Sequence, residues 1–198
     1  MCAKSLKPMV KEEKKVEVKK AAPVAVKKEK EEKPKDNVES LPPTDFVLYD
    51  FKTFFVNHKD KGGEAVDEWY KMLDWEGWHF RHLHYEKYTG EGEVLHVTIN
   101  LLGGFMNRAE HVNKICFGRM GVFGEEPNLE IKGVWLMRGP HEIPDGLAKE
   151  HPQFEYYHTR KMDPRNNKED DKLVREYFSK KEEDTIEGMK CQTIKWFK

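Results

Sequence analysis

Residues 1–37 contain no aromatic residue and no arginine. Twelve lysines stand there against seven carboxylates, a net charge of +5. The whole 198-residue chain carries −1, which leaves −6 for residues 38–198. A stretch such as KEEKKVEVKKAAPVAVKKEKEEKPKDN has too little apolar surface to offset the entropy of ordering it. Residues 1–44 are therefore expected to form a disordered, charged linker, extended by Pro23 and Pro34. Cysteine is scarce as well. Cys2, Cys116 and Cys191 lie far apart, which argues against a disulfide framework and favours a reducing compartment. No run approaches the roughly 18 apolar residues of a membrane helix. The start, MCAKSLKPMV, lacks the apolar core of a secretory signal. These absences predict a cytoplasmic protein that does not enter membranes.

The composition changes at LPPTDF (41–46), where two prolines precede Thr44 and Asp45, both capable of capping a helix. Four of the five tryptophans fall between 69 and 135. Some 150 residues remain, enough for one domain that buries roughly 70% of its unfolded surface. Helical spacing of Val47, Phe51, Phe54 and Phe55 predicts a first helix, and Val66, Trp69, Tyr70 and Leu73 predict a second over 64–73. Strands are predicted at 78–87 and 94–101, joined as a hairpin by TGEG (89–92), then at 114–123, 129–138 and 154–161. A short helix is expected at 104–112, and a long Pro-containing loop at 140–153. The last helix starts near Asn166 or Asn167, has Glu169, Asp170 and Asp171 in its first turn, and buries Leu173, Val174, Tyr177 and Phe178. Lys180 and Lys181 are expected to complement its negative end. The sum is an α+β domain over 45–198 with a roughly five-stranded, mostly antiparallel sheet surrounded by helices.

GVWLMRGP (133–140) is the first motif to test for chemistry. Its glycines stand six apart, Pro140 has no N–H to offer an anion, and no helix signal follows promptly, so it is not a phosphate loop. It reads instead as a central strand with Val134 and Leu136 on one face and Trp135 and Met137 on the other. Arg138, at the strand end, is suited to a structural ion pair with a carboxylate, or to a partner contact. In WHFRHLHYEK, His82 and His84 share a strand face, as zinc ligands do, with His96 on the neighbouring strand as the nearest third candidate. Hydrogen-bonded structural histidines are the commoner case. Cys116 in NKICFGR lacks an activating signature and fits a buried thiol. Trp78, Phe80 and Tyr85 could stack bases, but the −6 charge opposes nucleic-acid binding. Neither a metal nor a cofactor is expected, and no catalytic set assembles from these residues.

Four motifs occur in a fixed order: NLLGGFMNR (100–108), GVWLMRGP, RKMDP (160–164) and LVREYFS (173–179). With the Gly77-Trp78 and Phe123-Gly124 pairs and the terminal Phe197-Lys198, they resemble the C-terminal domain of the gamma subunit of translation elongation factor 1, over about 46–198. The charged stretch before it is similar to that family's linker. The resemblance implies a non-catalytic scaffold supporting the guanine-nucleotide exchange subunits, reached mainly through a transferase-like N-terminal domain that these residues do not contain. The ribosome or an aminoacyl-tRNA synthetase is a further candidate partner. Arg138, Arg160, Arg108 and Trp78 are the candidate partner contacts. RNA binding through the sheet or tail, or a metal or thiol enzyme using His82, His84 or Cys116, is the alternative.

Overall fold

A computed structural model describes residues 41, 43–139 and 143–198. Nearly all of the expected 1–44 linker, and residues 140–142 at the start of the expected 140–153 loop, lie outside the described residues. The centre is strand β3 (Glu130–Arg138), flanked by β1 (Trp78–Tyr85) and β2 (Cys116–Phe123). β4 (Tyr157–Met162) pairs with β1. On the far side come β6 (Met189–Phe197) and the two-residue β5 (Thr185–Ile186). The order is β4-β1-β3-β2-β6-β5, with every pairing antiparallel.

The central strand is apolar on both sides, as its sequence predicts. Val134 and Leu136 enter one core, and Ile131, Trp135 and Met137 the other. The first core is closed by α1 (Leu48–Asn57), α2 (Glu64–Met72) and α5 (Lys168–Ser179). Leu48, Phe51 and Phe55 form the buried stripe of α1. Phe51 stacks on Trp69 of α2 with centroids 4.5 Å apart, and Trp69 meets Phe178 of α5 edge-on at 4.9 Å. Such ring pairs add about 0.5–1.5 kcal/mol each beyond area burial. The second core is closed by α3 (Leu95–Arg108), its 3-10 extension Ala109–Val112 and the short α4 (Asp145–Ala148).

The ends of α5 show how side chains fix its place. Asn167 caps the start, accepting from Glu169 N at 2.9 Å. At the other end the expected cations are not the ones in contact. Arg119 of β2 donates from Nη1 to Tyr177 O at 2.7 Å and Lys180 O at 2.9 Å. Lys180 instead bonds Glu176 at 3.0 Å. Arg175, in LVREYFS, ties α5 to α2 through Asp67 at 2.6 Å and is held in place by Asp171 of its own helix at 2.9 Å.

Several elements differ from the sequence expectation. Residues 94–101 are not a strand, so TGEG does not close a hairpin. Leu95, Thr98, Leu102, Phe105, Met106 and Ala109 face inward at helical spacing, while Val94 and Val97 are exposed. The alternation of Val97, Ile99 and Leu101 is a local β signal that packing against the sheet overrides. Gly90 and Gly92 hold φ +90° and +76°, and Gly92 O accepts from Leu129 N at 2.8 Å. These turns point the chain across the sheet face instead of back along β1. Second, β5 and β6 were not expected, so the described sheet has six strands rather than about five. The register of β6 on β2 slips at Gln192, between Phe123↔Cys191 and Val122↔Thr193. This bulge moves the first-core positions from Cys191 to Ile194 and breaks the period of two. The strand expected at 154–161 begins later, after a 3-10 turn at Phe154–Tyr156.

Candidate interaction surface

An opening lies where α1, the turn before β2 and the end of β6 meet. The outer stripe of α1 carries Tyr49, Lys52, Thr53 and Val56, and Tyr49 is 77% exposed. Tyr49, Lys52 and Thr53, with Val47 and Leu48, help wall a cleft of about 610 Å³, closed on its other sides by Asn113, Lys114 and Lys198. Among the described residues no Asp or Glu side chain lines it. A smaller cleft of about 160 Å³, lined by Met106, Asn107, Glu110, Trp196 and Phe197, shares Asn113 and Lys198 with it. Lys52 lays its stem toward Phe117, with Nζ 5.9 Å from the ring centroid, and donates to Asn113 O at 2.6 Å. Burial pushes its pKa down. The cleft thus combines cations with an apolar floor and an exposed aromatic edge, a composition suited to a partner with both negative and apolar groups.

The histidines suspected as metal ligands have other partners. His82 and His84 do share the face of β1. His82 Nε2 lies 2.6 Å from Glu187 Oε1, which also accepts from Tyr177 Oη at 3.1 Å. Lys132 Nζ sits 3.3 Å from Glu187 and 2.8 Å from Glu130, and His84 Nε2 lies 3.4 Å from Glu130. An ammonium thus occupies the position between the two carboxylates that a metal would take. His96 is exposed on α3, not on a paired strand, and supplies no third ligand. Among the described residues no group of three or more His, Cys, Asp or Glu side chains is placed to hold a metal ion.

This cluster has a pH signature. Burial alone would raise the Glu187 carboxyl, but His82 and Lys132 outweigh it and hold its pKa at about 2, below its reference of 4.5. A carboxylate depressed by folding stabilises the native state above its unfolded pKa and loses that contribution as pH falls through the folded one. The window is therefore pH 4.5 down to about 2. Glu187→Gln is expected to lower stability at pH 7 and to flatten the decline inside that window. Urea midpoints at several pH values check this; an acid limb parallel to wild type would exclude Glu187 as its source.

The remaining candidates occupy distinct settings. Trp78 is buried under Phe46, with ring centroids 5.3 Å apart. Arg138 is buried as well, 5.6 Å above the Trp78 ring, and donates to Gly77 O at 2.7 Å. A Cβ on Gly77 would run into Arg138 Nη1 and Asp74 Oδ2, which explains glycine in the Gly77-Trp78 pair. Arg160 is half exposed and pairs with the buried Asp170 at 2.6 Å. Arg108 is exposed and bonds Gln153 at 2.7 Å. Cys116 is fully buried in the second core. Phe80 and Tyr85 are buried like Trp78, so the aromatic face of β1 offers no platform for stacking bases. Tyr49, Lys52 and Lys114 were not singled out from sequence. The available signal was Tyr49 itself, an aromatic residue off the 48, 51, 55 stripe of its helix.

The described residues form an antiparallel sheet layered between helices, with buried polar groups holding layers together and an open basic cleft between α1 and the end of β6. The chain belongs to the elongation factor 1-gamma family. A family profile described as "Elongation factor 1 gamma, conserved domain" matches residues 33–141. Elongation factor 1-gamma of Prunus avium is 39% identical over 132 residues, 66% of this chain and 31% of that protein. The probable elongation factor 1-gamma 1 of Arabidopsis thaliana is 39% identical over 153 residues, 73% of this chain and 36% of that protein. The Mus musculus protein is 33% identical over 150 residues, 75% and 33% of the two chains. The chain spans about a third of the length of these curated relatives. Among the described residues no helix is long and apolar enough to cross a membrane.

Proposed function

We propose that residues 45–198 are the C-terminal domain of an elongation factor 1-gamma, preceded by that family's charged linker at 1–44, and that they act as a non-catalytic interaction module in cytoplasmic protein synthesis. The module supports the guanine-nucleotide exchange subunits of the elongation factor 1 complex. Its own contacts are with that complex, the ribosome or an aminoacyl-tRNA synthetase. The observation that carries this is the open, lysine-walled cleft beside Tyr49 on a member of this family, while His82, His84 and Cys116 are engaged in the fold. Arg108 and Arg160 stay as surface partner contacts; buried Arg138 and Trp78 serve the fold.

The test is quantitative capture from cytoplasmic extract on residues 1–198, on residues 42–198, and on the full chain with Tyr49→Ala and Lys114→Glu. Elongation factor subunits, ribosomal proteins or synthetases are expected on both wild-type baits, with recovery on the double variant reduced about tenfold, the effect of 1.4 kcal/mol. Equal recovery on the variant removes the cleft from the proposal. Capture by neither wild-type bait removes the module.

A further inference from the structure

The strand edge beside the cleft is unpaired beyond Lys190. Ile115 O accepts from Arg138 N at 2.9 Å, so the odd-numbered residues of β2 turn their backbone groups to β3. The even-numbered ones turn to β6, where Gly118, Met120 and Val122 face Phe197, Lys195 and Thr193, and Gly124 N bonds Lys190 O at 2.8 Å. The N–H and C=O groups of Ile194 and Trp196 therefore point away from β2. β5 does not reach them, because it pairs only Thr185↔Lys190 and Ile186↔Met189. The loop before β5 bonds the backbone of Cys191, through Asp184 O and Glu183 N, both at 2.8 Å, and its Glu182 carboxylate accepts from Thr193 Oγ1 at 2.8 Å, but it does not pair with the backbones of Ile194 and Trp196. Among the described residues the strand pairings and loop bonds leave the backbones of Ile194 and Trp196 without a partner on that side. Folded proteins blunt such edges with charge or use them. β4, the opposite edge, is blunted by exposed His158, Arg160 and Lys161.

We propose that the open edge of β6, from Thr193 to Phe197, takes up an extended acidic segment of a protein partner as an added strand. Charge selects the occupant. Lys195 is on the strand itself, with Nζ beside Gly103 of α3, and Lys52, Lys114 and Lys198 wall the larger cleft at its end. None of the four is in an ion pair among the described residues, and Glu110 of the smaller cleft is the one carboxylate residue lining either opening. A second copy paired through the same edge would bring Lys195 and Lys198 of each chain together, whereas an acidic strand neutralises them. Backbone bonds to Ile194 and Trp196 supply the docking, and the lysines supply the preference. The inference rests on the chain being an interaction module and specifies what it binds.

The probe is a fluorescent hexapeptide of alternating glutamate and valine, titrated against the full chain. Two further versions are N-methylated on one or the other alternate set of residues. Binding is expected to weaken as salt rises and to fall about tenfold in the full-chain Lys114→Glu/Lys195→Glu variant. One methylated peptide should lose binding and the other keep it, because only one set of N–H groups faces the edge. Hydrogen exchange should slow at Ile194 and Trp196. Equal affinity of the two methylated peptides, or binding without that protection, would reduce the contact to charge and overturn strand addition. A dimer that protects the same two amides without peptide would assign the edge to a second copy and overturn it too. No binding of the peptide, with extract proteins still captured by the intact chain, would overturn this inference while leaving the interaction module standing.

Discussion

Trp135→Ala is expected to lower the unfolding free energy by about 3–5 kcal/mol, the range of large aromatic truncations in packed cores. Trp135 is fully buried at the middle of the central strand. Its ring stacks on Phe197 with centroids 4.2 Å apart and 14° between planes, and meets Phe105 of α3 at 5.9 Å. Gly118 lies opposite in register, and a Cβ there would press on the indole ring from 2.6 Å. The site is thus built around a flat ring, and its loss leaves a cavity shared by β2, β3, β6 and α3. For a chain of this size each kcal/mol moves Tm by about 2–4 °C, so a fall of roughly 6–20 °C is expected in a circular-dichroism melt. Trp135→Phe should cost much less, since the indole N–H has no acceptor among the described residues. A wild-type Tm for the alanine variant would show that the second core does not depend on this ring.

Arg119→Ala is the second large effect, on the order of 3 kcal/mol. The guanidinium is buried, stacks 4.3 Å above the Trp196 ring, and satisfies the carbonyls of Tyr177 and Lys180. Burial lowers its pKa to about 10, so it remains charged at neutral pH. Each buried carbonyl left unsatisfied costs about 1–3 kcal/mol, and a positive charge at a helix C-terminus adds its own attraction. Lysine cannot reproduce the planar stack with its two-carbonyl reach, so Arg119→Lys should recover less than half of the loss. Urea unfolding of both variants measures this, and hydrogen exchange locates it at the last turn of α5. Equal stability of all three proteins would mean that α5 ends without help from the sheet.

What was legible in the sequence follows physical lines. GVWLMRGP announced a strand buried on both faces because alternate residues on each side are large and apolar, and Val134 and Trp135 do enter opposite cores. Asn167 and the three carboxylates after it announced the start of α5, because capping is local chemistry. The stretch LHVTINLL misled, since its β-branched alternation is local while its helical stripe gains meaning only against the sheet. β6 was hidden by one inserted residue, Gln192, which transfers its inward positions from odd to even numbers. The histidines of β1 were placed on one face as expected, but their partners come from Glu130 and from Glu187, over a hundred residues away from His82 in sequence. The cleft was invisible for a similar reason. Tyr49, Lys114 and Lys198 belong to three separated segments, and nothing in any one of them marks a wall.

The position of β6 in the chain also sets a timetable. β2 is complete at Phe123, but the strand that covers its outer side begins only at Met189, about 65 residues later. At a synthesis rate of about 5–20 residues per second, that interval lasts roughly 3–13 seconds. During it Phe117 and Phe123 lack α5, and the sheet ends at a bare β2. A ribosome making this protein therefore carries, for seconds on every round, a half-built sheet with an aromatic flank. Shielding of the nascent chain until β6 arrives is expected to limit its aggregation.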